Sequence, residues 1–574
     1  MKKYALLNMF LLLLISCRIS AQKNNNYPKW LNSVVFYQIY PQSFKDSNGD
    51  GIGDLNGIIE KLPYVKSLGV NAIWLNPCFS STFLDAGYDV TDFYQIASRY
   101  GTNADMVTLV QKSHKLGIKV VLDLVAGHTS IEHPWFKASA KKEQNEFSER
   151  YIWTNSKKVK PYGFVANDYP RDGTYKKNFF ETQPALNYGY AHPDSLHSWE
   201  QSPNAPGPVA TREALKAIMA FWMNKGVDGF RVDMASSLIK NDIDFSETYK
   251  LWGNIRSWFS SKYPQGVLIS EWSNPAQAIK AGFMIDFMIH FGVKGYPSLF
   301  FEDKDVVLPL CKNPFFAKSG KGDIMEFLNS YTKQQKQIQN QGLIAIPTAN
   351  HDFQRLRSGT RQTTDELKVA LVFLFTWQSV PFIYYGDEIG MKYISTPLPD
   401  KEGSILPAEV VPGFIANRAG SRTPMQWDNS KNAGISKADS SKLYLPVDPD
   451  SKRPTVADQE KDRNSLLNFT RQLIKLKNEN RALSGEGKLE IVYAKEKTYP
   501  FIYKRKLGKN EFLICINPKD STVQIDIPFS GNVRILPRFS QKTSCIKLPN
   551  GNVQVEMKPV SFGIFQLKND SQNY

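Results

Sequence analysis

The chain has 574 residues, of which 42% are hydrophobic, and a formal net charge of +16 at neutral pH. This length exceeds what one small core needs, so we expect a large globular body with one or two smaller units. The basic residues are spread along the chain without a basic-aromatic repeat, and we interpret the Lys-rich stretch 137–177 as a solvated loop face, so no nucleic-acid partner is expected.

The first 22 residues have the pattern of an export signal. Two lysines precede an apolar run at residues 5–15, which is too short to cross a bilayer as a stable helix but has signal-peptide length. The LISC string ending at Cys17 resembles a bacterial lipobox, in which the cysteine is lipidated, and cleavage after Ala21 is the alternative. We therefore expect export to the bacterial cell envelope, in the periplasm or as an outer-membrane lipoprotein that touches the membrane through its N-terminal lipid.

Apolar runs of strand length alternate with helical patterns over residues 30–385. The helical segments carry apolar residues at three-and-four spacing, as in residues 55–65 and 215–222. Eight strands alternating with helices predict an α/β fold, and periodicity alone does not separate a closed (β/α)₈ barrel from an open doubly wound sheet. The predicted strands are 34–40, 71–75, 118–125, 227–233, 267–271, 282–286, 343–348 and 380–385.

Two stretches depart from this alternation and divide the barrel region into residues 30–128 and 209–481. Residues 129–208 form a long irregular insert after the third strand, rich in Lys, Asn, Pro and aromatics. From residue 482 to 574, short alternating runs such as FLICIN and VQIDI are separated by Gly, Pro, Asn and Asp, which predicts an all-β sandwich domain. Cys515 and Cys545 fall in this domain and either pair or remain isolated thiols, and no cysteine has zinc-site spacing.

Short strings set charged side chains at the ends of three predicted strands. GFRVD delivers Asp233 with Arg231 two residues before it, on the same face because strand side chains alternate. ISEW delivers Glu271, and ANHD delivers His351 and Asp352. Glycoside cleavage needs one carboxylate as nucleophile or base and one carboxyl group as acid. The sequence offers both and a spare, so it predicts a sugar-cleaving site.

Together with VLDLVAGH, these strings resemble the four signature regions of glycoside hydrolase family 13, the α-amylase family. Five further segments are similar to its oligo-1,6-glucosidase and α-glucosidase branch: VVFYQIYPQSF, DSNGDGIGDLNGI, GYDVTDFYQI, VPFIYYGDEIGM and SRTPMQW. The resemblance covers nearly the whole mature chain. It implies a (β/α)₈ TIM barrel rather than an open sheet, and it makes the insert the family's B domain, which walls one side of the cleft.

The resemblance also assigns roles to the carboxylates. Asp233 is then the nucleophile that forms a covalent glucosyl ester, Glu271 the general acid and base, and Asp352 the group that grips the sugar's 2- and 3-hydroxyls. Retention of configuration requires the first two carboxyl groups to lie roughly 5–5.5 Å apart. We expect a raised pKa for Glu271 and expect Arg231 to lower the pKa of Asp233. Asp123, inside VLDLVAGH, is interpreted as a buried structural carboxylate.

Exo or endo action depends on whether the sugar pocket is closed at its far end. Asp89 in GYDV and Arg422 in SRTPMQW match a pair that closes this pocket by a salt bridge in the α-glucosidase branch, and two residues that never meet are the alternative. Tyr88 would supply a stacking face for the terminal glucose. His128 and His351 match the histidines that hydrogen-bond that glucose.

The DSNGDGIGD segment has the chemistry of a calcium loop. It resembles the loop after the first strand of the oligo-1,6-glucosidase branch, and it is no EF-hand because Gly57 stands where a bidentate Glu is required. We expect one structural Ca²⁺ remote from catalysis, with a metal-free turn as the alternative, and no organic cofactor. The predicted ligands are Asp46, Asn48, Asp50, the Ile52 carbonyl and Asp54.

Three positions depart from the family's pattern. Gly127 stands where typical α-amylases have the Asn that ligates an interdomain calcium, so the sequence gives no support for that second site. Ala185 replaces the Asp of the branch's QPDLN string. Met234, after the predicted nucleophile, is neither the Val associated with α-1,6 cleavage nor the Thr associated with α-1,4 cleavage, so it does not indicate the linkage.

These observations predict a retaining, exo-acting α-glucosidase that acts on short α-glucans or disaccharides. The alternatives are a transglycosylase or isomerase of the same family, such as a trehalose synthase, an endo-acting α-amylase, and a non-catalytic carbohydrate-binding relative. Three intact carboxylates argue against the last. An endo-acting enzyme would require Asp89 and Arg422 to leave the pocket open.

Overall fold

The computed structural model describes residues 26–302, 310–395, 398–406, 416–528 and 533–569. The predicted export signal, including Cys17, lies outside the described residues. Within these ranges, every helix is too short or too polar to cross a bilayer.

Eight parallel strands close into a barrel, which confirms the predicted fold class. Going round the barrel, the strands follow one another in sequence order, and the last pairs with the first. The strands are β1 (Phe36–Ile39), β2 (Ala72–Leu75), β3 (Lys119–Leu124), β4 (Gly229–Val232), β5 (Val267–Ser270), β6 (Ile285–Phe287), β7 (Leu343–Pro347) and β8 (Val380–Tyr384).

Aromatic side chains fill the barrel. Phe36 and Phe382 stack with ring centroids 4.3 Å apart, and Phe287 meets Phe382 edge-on at 4.7 Å. Trp74 packs against the same group, 5.8 Å from Phe287. The interior is therefore a packed core, and open space for a ligand lies beyond the strand ends, as in other barrels of this kind.

Helices pack around the barrel through their apolar faces. In the first helix, Leu55, Ile58, Leu62 and Val65 are all buried, the spacing expected for a helix against a sheet. The helices are α1 (Leu55–Ser67), α2 (Asn103–Lys115), α3 (Pro134–Ser139), α4 (Pro206–Asn224), α5 (Ser246–Lys262), α6 (Pro275–Ala281), α7 (Tyr296–Phe300), α8 (Ile324–Ile338), α9 (Thr364–Thr376), α10 (Val456–Lys461) and α11 (Leu466–Glu479).

The insert after β3 has little regular structure and a small aromatic core of its own. It contains α3 and a two-stranded ribbon, Phe164–Val165 with Tyr175–Lys176. Phe136 of α3 stacks on Trp153 at 5.4 Å and meets Tyr175 edge-on at 5.1 Å. A second ribbon, Phe79–Ser81 with Val90–Ile96, follows β2. Both ribbons lie on segments that follow the carboxyl ends of barrel strands.

The C-terminal region is an antiparallel sheet that buries both faces. Along β10 and β11, Ile502, Leu513 and Cys515 point into a core of the domain's own, while Tyr503 and Ile514 join the core shared with the barrel. This two-residue alternation is the one predicted for this region. The strands are β9 (Lys488–Tyr493), β10 (Phe501–Leu507), β11 (Asn510–Asn517), β12 (Val523–Ile527), β13 (Val533–Lys547) and β14 (Val553–Asn569).

Candidate active site

Strand register brings the predicted carboxylates to one level above the barrel. Val232 of β4 pairs with Ser270 of β5, so the next residues, Asp233 and Glu271, emerge side by side. Asp352 follows the end of β7 and faces them. All three line one cavity of about 520 Å³, a volume in the range of small-molecule sites.

The guanidinium of Arg231 serves three carboxyl groups. Its Nη1 lies 3.0 Å from Asp233 Oδ1 and 2.8 Å from Asp123 Oδ1, and its Nη2 lies 2.7 Å from Glu271 Oε1. The group is buried over the ring of Trp74. Because one positive charge faces three acids, the three cannot all ionise cheaply, and a proton stays among them near neutral pH.

Burial decides where that proton resides. Burial raises the pKa of Glu271 to about 8, as expected, although Arg231 opposes the shift. It also raises the pKa of Asp233 to about 7, so the lowering that we expected from Arg231 is present but outweighed. The Asp233 carboxyl accepts a hydrogen bond from Glu271, which favours its ionised form. Burial raises the pKa of Asp123 only to about 6, so Asp123 is ionised, and of the other two groups Glu271 keeps the proton while Asp233 ionises before it.

Asp352 is held ionised by a separate set of contacts. Burial raises its pKa, but His351 Nε2 at 3.2 Å, Arg418 Nη1 at 2.8 Å and Arg422 Nη2 at 3.3 Å together bring that pKa well below its usual range. Its side chain remains 18% exposed, twice the fraction of Asp233. A fixed negative charge at the cavity wall can stabilise positive charge that develops on a bound sugar.

The three residues predicted to contact the glucose, Tyr88, His128 and His351, do not all reach the cavity surface. Tyr88 and His128 line the cavity, whereas His351 lies beneath Tyr88, with the two rings stacked at 5.4 Å. The Tyr88 hydroxyl lies 2.8 Å from His351 Nε2 and 3.0 Å from Asp123 Oδ2. His351 and Asp123 therefore hold Tyr88 in place, and Asp123 keeps the structural role predicted for it.

His128 is neutral and held from both sides. Its Nε2 lies 3.1 Å from the Tyr88 carbonyl oxygen, and its Nδ1 lies 3.0 Å from the side-chain amide of Asn178 in the insert. Burial lowers the pKa of His128 to about 3. The absence of a side chain at Gly127 makes room for Asn178, because a Cβ there would lie 3.0 Å from its amide nitrogen.

The predicted ion pair between Asp89 and Arg422 is wrong. The Asp89 carboxylate is fully buried and accepts hydrogen bonds from Ser81, Thr82 and the backbone amides of Leu84 and Asp85, so it holds its own loop together. Arg422 turns instead to the His351 carbonyl and to Asp352.

A different pair, four residues earlier in each segment, does meet. Arg418 Nη2 lies 2.9 Å from Asp85 Oδ1, and Arg418 Nη1 binds Asp352. Gln183, from the insert, donates to Asp85 Oδ2 at 2.9 Å. Asp85, Gln183 and Arg418 all line the cavity, so this cluster is the cavity wall that we had assigned to Asp89 and Arg422.

Residues 38–486 match the family model described as the alpha amylase catalytic domain. The chain belongs to the α-amylase family. This confirms the predicted family, glycoside hydrolase family 13, and makes the chain a glycoside hydrolase by class.

Curated relatives of this α-amylase family member include hydrolases and a synthase. An oligo-1,6-glucosidase of Parageobacillus thermoglucosidasius is 30% identical over 536 residues, covering 87% of this chain and 92% of that protein. A trehalose synthase/amylase of Mycolicibacterium smegmatis is 29% identical, covering 85% and 84%. An isomaltulose synthase mutant of Erwinia rhapontici, solved in complex with D-glucose, is 26% identical with a TM-score of 0.76, covering 95% and 100%.

Sequence reasoning missed several cavity residues of this family member, among them Asp85, Gln183, His290 and Arg418. Asp85 and Arg418 stand in the same two segments as the residues we chose, so the signal was present but ambiguous. Gln183 opens the QPALN string of the insert. His290 belongs to no signature string, and its one signal was its position shortly after a buried strand.

The predicted calcium loop is a tight wrap of Asx turns before α1. Asp46 Oδ1 accepts from the amides of Asn48 and Gly49, Asp50 Oδ1 accepts from the Ile52 amide, and Asp54 caps α1 through Gly57. In the described ranges, no three His, Cys, Asp or Glu side chains converge as metal ligands. Asp46 Oδ2 also accepts from the Gly51 amide and the Ser436 hydroxyl, so Asp46 would exchange a bond for the metal. The loop nevertheless offers oxygen donors throughout, and Asp50 and Asp54 keep lone pairs beyond their bonds, which suits calcium.

Proposed function

We propose that this chain is a retaining, exo-acting α-glucosidase that hydrolyses short α-glucans or disaccharides. The observation that carries the proposal is the close approach of Glu271 and Asp233, which bind the same guanidinium and are joined by a hydrogen bond. Two carboxyl groups in contact leave no space for a water molecule between them and the sugar, which an inverting enzyme requires. Direct attack by one of the two is the reaction that this spacing suits.

The hydrogen bond from Glu271 to Asp233 supports the assignment of the two roles, because the donor holds the proton and the acceptor is ionised. Ionised Asp233 attacks the anomeric carbon while Glu271 gives its proton to the glycosidic oxygen, so the leaving sugar departs as a neutral alcohol. The resulting glucosyl ester on Asp233 is then opened by water, from which Glu271 now accepts a proton. Two displacements at the same carbon restore the α configuration. Ionised Asp352 faces the positive charge that develops in each step.

The Asp85–Arg418 pair supports exo action. It joins a loop after β2 to the Asp352 loop after β7, and Gln183 of the insert closes over it. A polysaccharide chain cannot continue through a wall that is held by a buried ion pair. A terminal glucose therefore enters, and the remainder of the substrate extends towards the open side.

Product analysis tests the proposal. The purified protein is incubated with maltose, isomaltose, trehalose, sucrose and maltoheptaose, and released sugars are followed over time by chromatography, with product configuration read by NMR. Glucose released singly from chain ends as the α-anomer supports the proposal. If the main product is an isomer of the substrate and little free glucose appears, the enzyme transfers glucose to a sugar rather than to water. Long fragments of maltoheptaose would indicate endo action.

Two neighbouring carboxylates are expected to respond differently to loss of charge. Asp85→Asn should raise KM for a disaccharide and lower kcat/KM by roughly 10- to 100-fold, because Arg418 loses its buried partner at the cavity wall. Asp89→Asn should lower the free energy of unfolding by about 2 kcal/mol with little change in KM, because its hydrogen bonds serve the loop. Initial-rate kinetics and thermal unfolding of both variants test this difference. A large rise in KM for Asp89→Asn with only a loss of stability for Asp85→Asn would mean that Asp89, and not Asp85, forms the closed end of the pocket.

We propose that the loop at residues 46–54 binds one structural Ca²⁺. Asp46, Asn48, Asp50, the Ile52 carbonyl and Asp54 would hold it, and no catalytic step passes through it. Binding to the folded state alone raises stability by about 2.7 kcal/mol at a hundredfold excess over Kd, so chelation should lower Tm by about 2 °C or more. Calcium, but not magnesium, should restore Tm.

A matched variant separates calcium binding from other effects of chelation. Asp50 is exposed and bonds within its own loop, so Asp50→Ala should fold and retain kcat at moderate temperature. Its Tm should no longer respond to calcium. Equal Tm values for the wild type with chelator and with calcium would contradict the site.

A further inference from the structure

His290 is a polar group of the cavity that the proposed reaction does not use. It stands three residues after β6, which pairs with β5 on one side and β7 on the other. Because those neighbours carry Glu271 and Asp352, His290 reaches the cavity between the two. Its ring packs against Phe353 and Phe291, with centroids 5.2 Å and 5.0 Å away.

The imidazole is neutral and has capacity for a ligand. Burial lowers the pKa of His290 to about 4, although Asp352 opposes the shift. Its Nδ1 is buried and has no hydrogen-bond partner within the described ranges of the chain. A neutral imidazole offers one N–H donor and one nitrogen acceptor. Because Nδ1 is buried, the contact with a ligand falls to Nε2, which donates or accepts according to the tautomer, and a hydroxyl group can satisfy it in either case.

The position of His290 assigns it to the open half of the cavity. The Asp85–Arg418 pair forms the wall at one side, while Phe291 and Leu310 line the cavity and are 41% and 46% exposed, so they mark its mouth. His290 directly precedes Phe291. Glu271, on the adjacent strand, protonates the glycosidic oxygen in the proposed reaction. The leaving group extends from that oxygen towards the mouth and passes His290.

We propose that His290 hydrogen-bonds a hydroxyl of the leaving-group sugar and so favours glycosyl over apolar leaving groups. The inference rests on the proposed function, because it takes the glucose to lie on the Asp85–Arg418 side. It adds a specificity residue that binds the half of the substrate furthest from the closed wall. The same contact would hold an acceptor sugar during transfer.

Two variants and two substrates test the contact. His290→Phe keeps a flat ring against Phe353 but removes both polar atoms, and His290→Gln keeps a donor and an acceptor. Maltose carries hydroxyls on its leaving group, whereas 4-nitrophenyl α-glucoside presents an aromatic ring without them. With one hydrogen bond lost, kcat/KM of His290→Phe for maltose should fall roughly five- to tenfold, against less than twofold for the aryl glucoside. His290→Gln should recover part of the loss.

The outcomes separate this contact from other roles. An equal loss on both substrates would overturn the proposal, since it would place His290 against the glucose or in the fold, and thermal unfolding would tell these apart. No loss on either substrate would also overturn it. If the wild type cleaves neither substrate, the proposed function fails. The His290 contact can then still be tested by calorimetry, which measures the binding of glucose and of maltose to the wild type and to His290→Phe. Weaker maltose binding with unchanged glucose binding in His290→Phe supports the contact, and equal changes exclude it.

Discussion

Asp233→Asn is expected to lower kcat/KM by on the order of 10⁴-fold or more on every substrate that the wild type cleaves. The amide has the size of the carboxylate and can still accept from Arg231, so the cavity should keep its shape. It cannot form the glucosyl ester, however. Losses of this size are typical when a nucleophile is removed.

Azide distinguishes loss of the nucleophile from general damage. In Asp233→Gly, azide can enter the vacated space, attack the anomeric carbon and yield a β-glucosyl azide from an aryl α-glucoside with a good leaving group. Asp123→Asn is the matched control, because Asp123 binds the same guanidinium at 2.8 Å but does not line the cavity. It should lose far less activity and show no rescue. Rescue of Asp123→Asn, or more than 1% residual activity in Asp233→Asn, would contradict the assignment.

The barrel and its carboxylates were predictable because their signals are local. The strands that deliver these carboxylates are mostly apolar, and the residue after each strand carries the chemistry: Asp233 follows Val232 of β4, and Glu271 follows Ser270 of β5. A parallel barrel then places all strand ends on one side. Knowledge of the alternation and of the fold was therefore enough to bring Asp233 and Glu271 together.

The closed wall was not predictable in the same way. The segments around residues 85–89 and 418–422 each offer two charged residues four positions apart, and the sequence does not say which turns inwards. The loop decides it: Asp89 accepts hydrogen bonds from the amides of Leu84 and Asp85 and stays within its own turn, whereas the Asp85 side chain reaches Arg418. His290 was missed for a related reason, since a histidine after a buried strand is usually a packed core residue.

Protonation states needed the structure as well. The sequence places Arg231 two residues before Asp233 and correctly predicts that they meet. It does not show that Glu271 and Asp123 use the same guanidinium, nor how deeply all of them are buried. Desolvation is a property of the assembled site, and here it outweighs the single positive charge.

The pH dependence of kcat/KM should report this shared proton, with a bell-shaped profile and an optimum between about 7 and about 8. Asp233 must be ionised to attack, so activity should rise as pH increases through about 7, where its pKa lies. Glu271 must be protonated to act as acid, so activity should fall as pH increases through about 8. Because the two groups share Arg231 and a hydrogen bond, the limbs belong to the pair rather than to either residue alone.

Glu271→Gln should remove the alkaline limb and lower kcat/KM for maltose by about 10³-fold, the usual worth of a general acid. An aryl glucoside with a nitrophenolate leaving group needs no proton, so its first displacement should be affected much less. The ester on Asp233 should then accumulate, because no base activates water, and added azide should speed its release as the α-glucosyl azide. An alkaline limb that persists in Glu271→Gln would assign the proton to another group. If kcat/KM fell equally for maltose and for the aryl glucoside, Glu271 would not be the general acid. A larger loss for maltose is expected only if Glu271 gives its proton to the glycosidic oxygen.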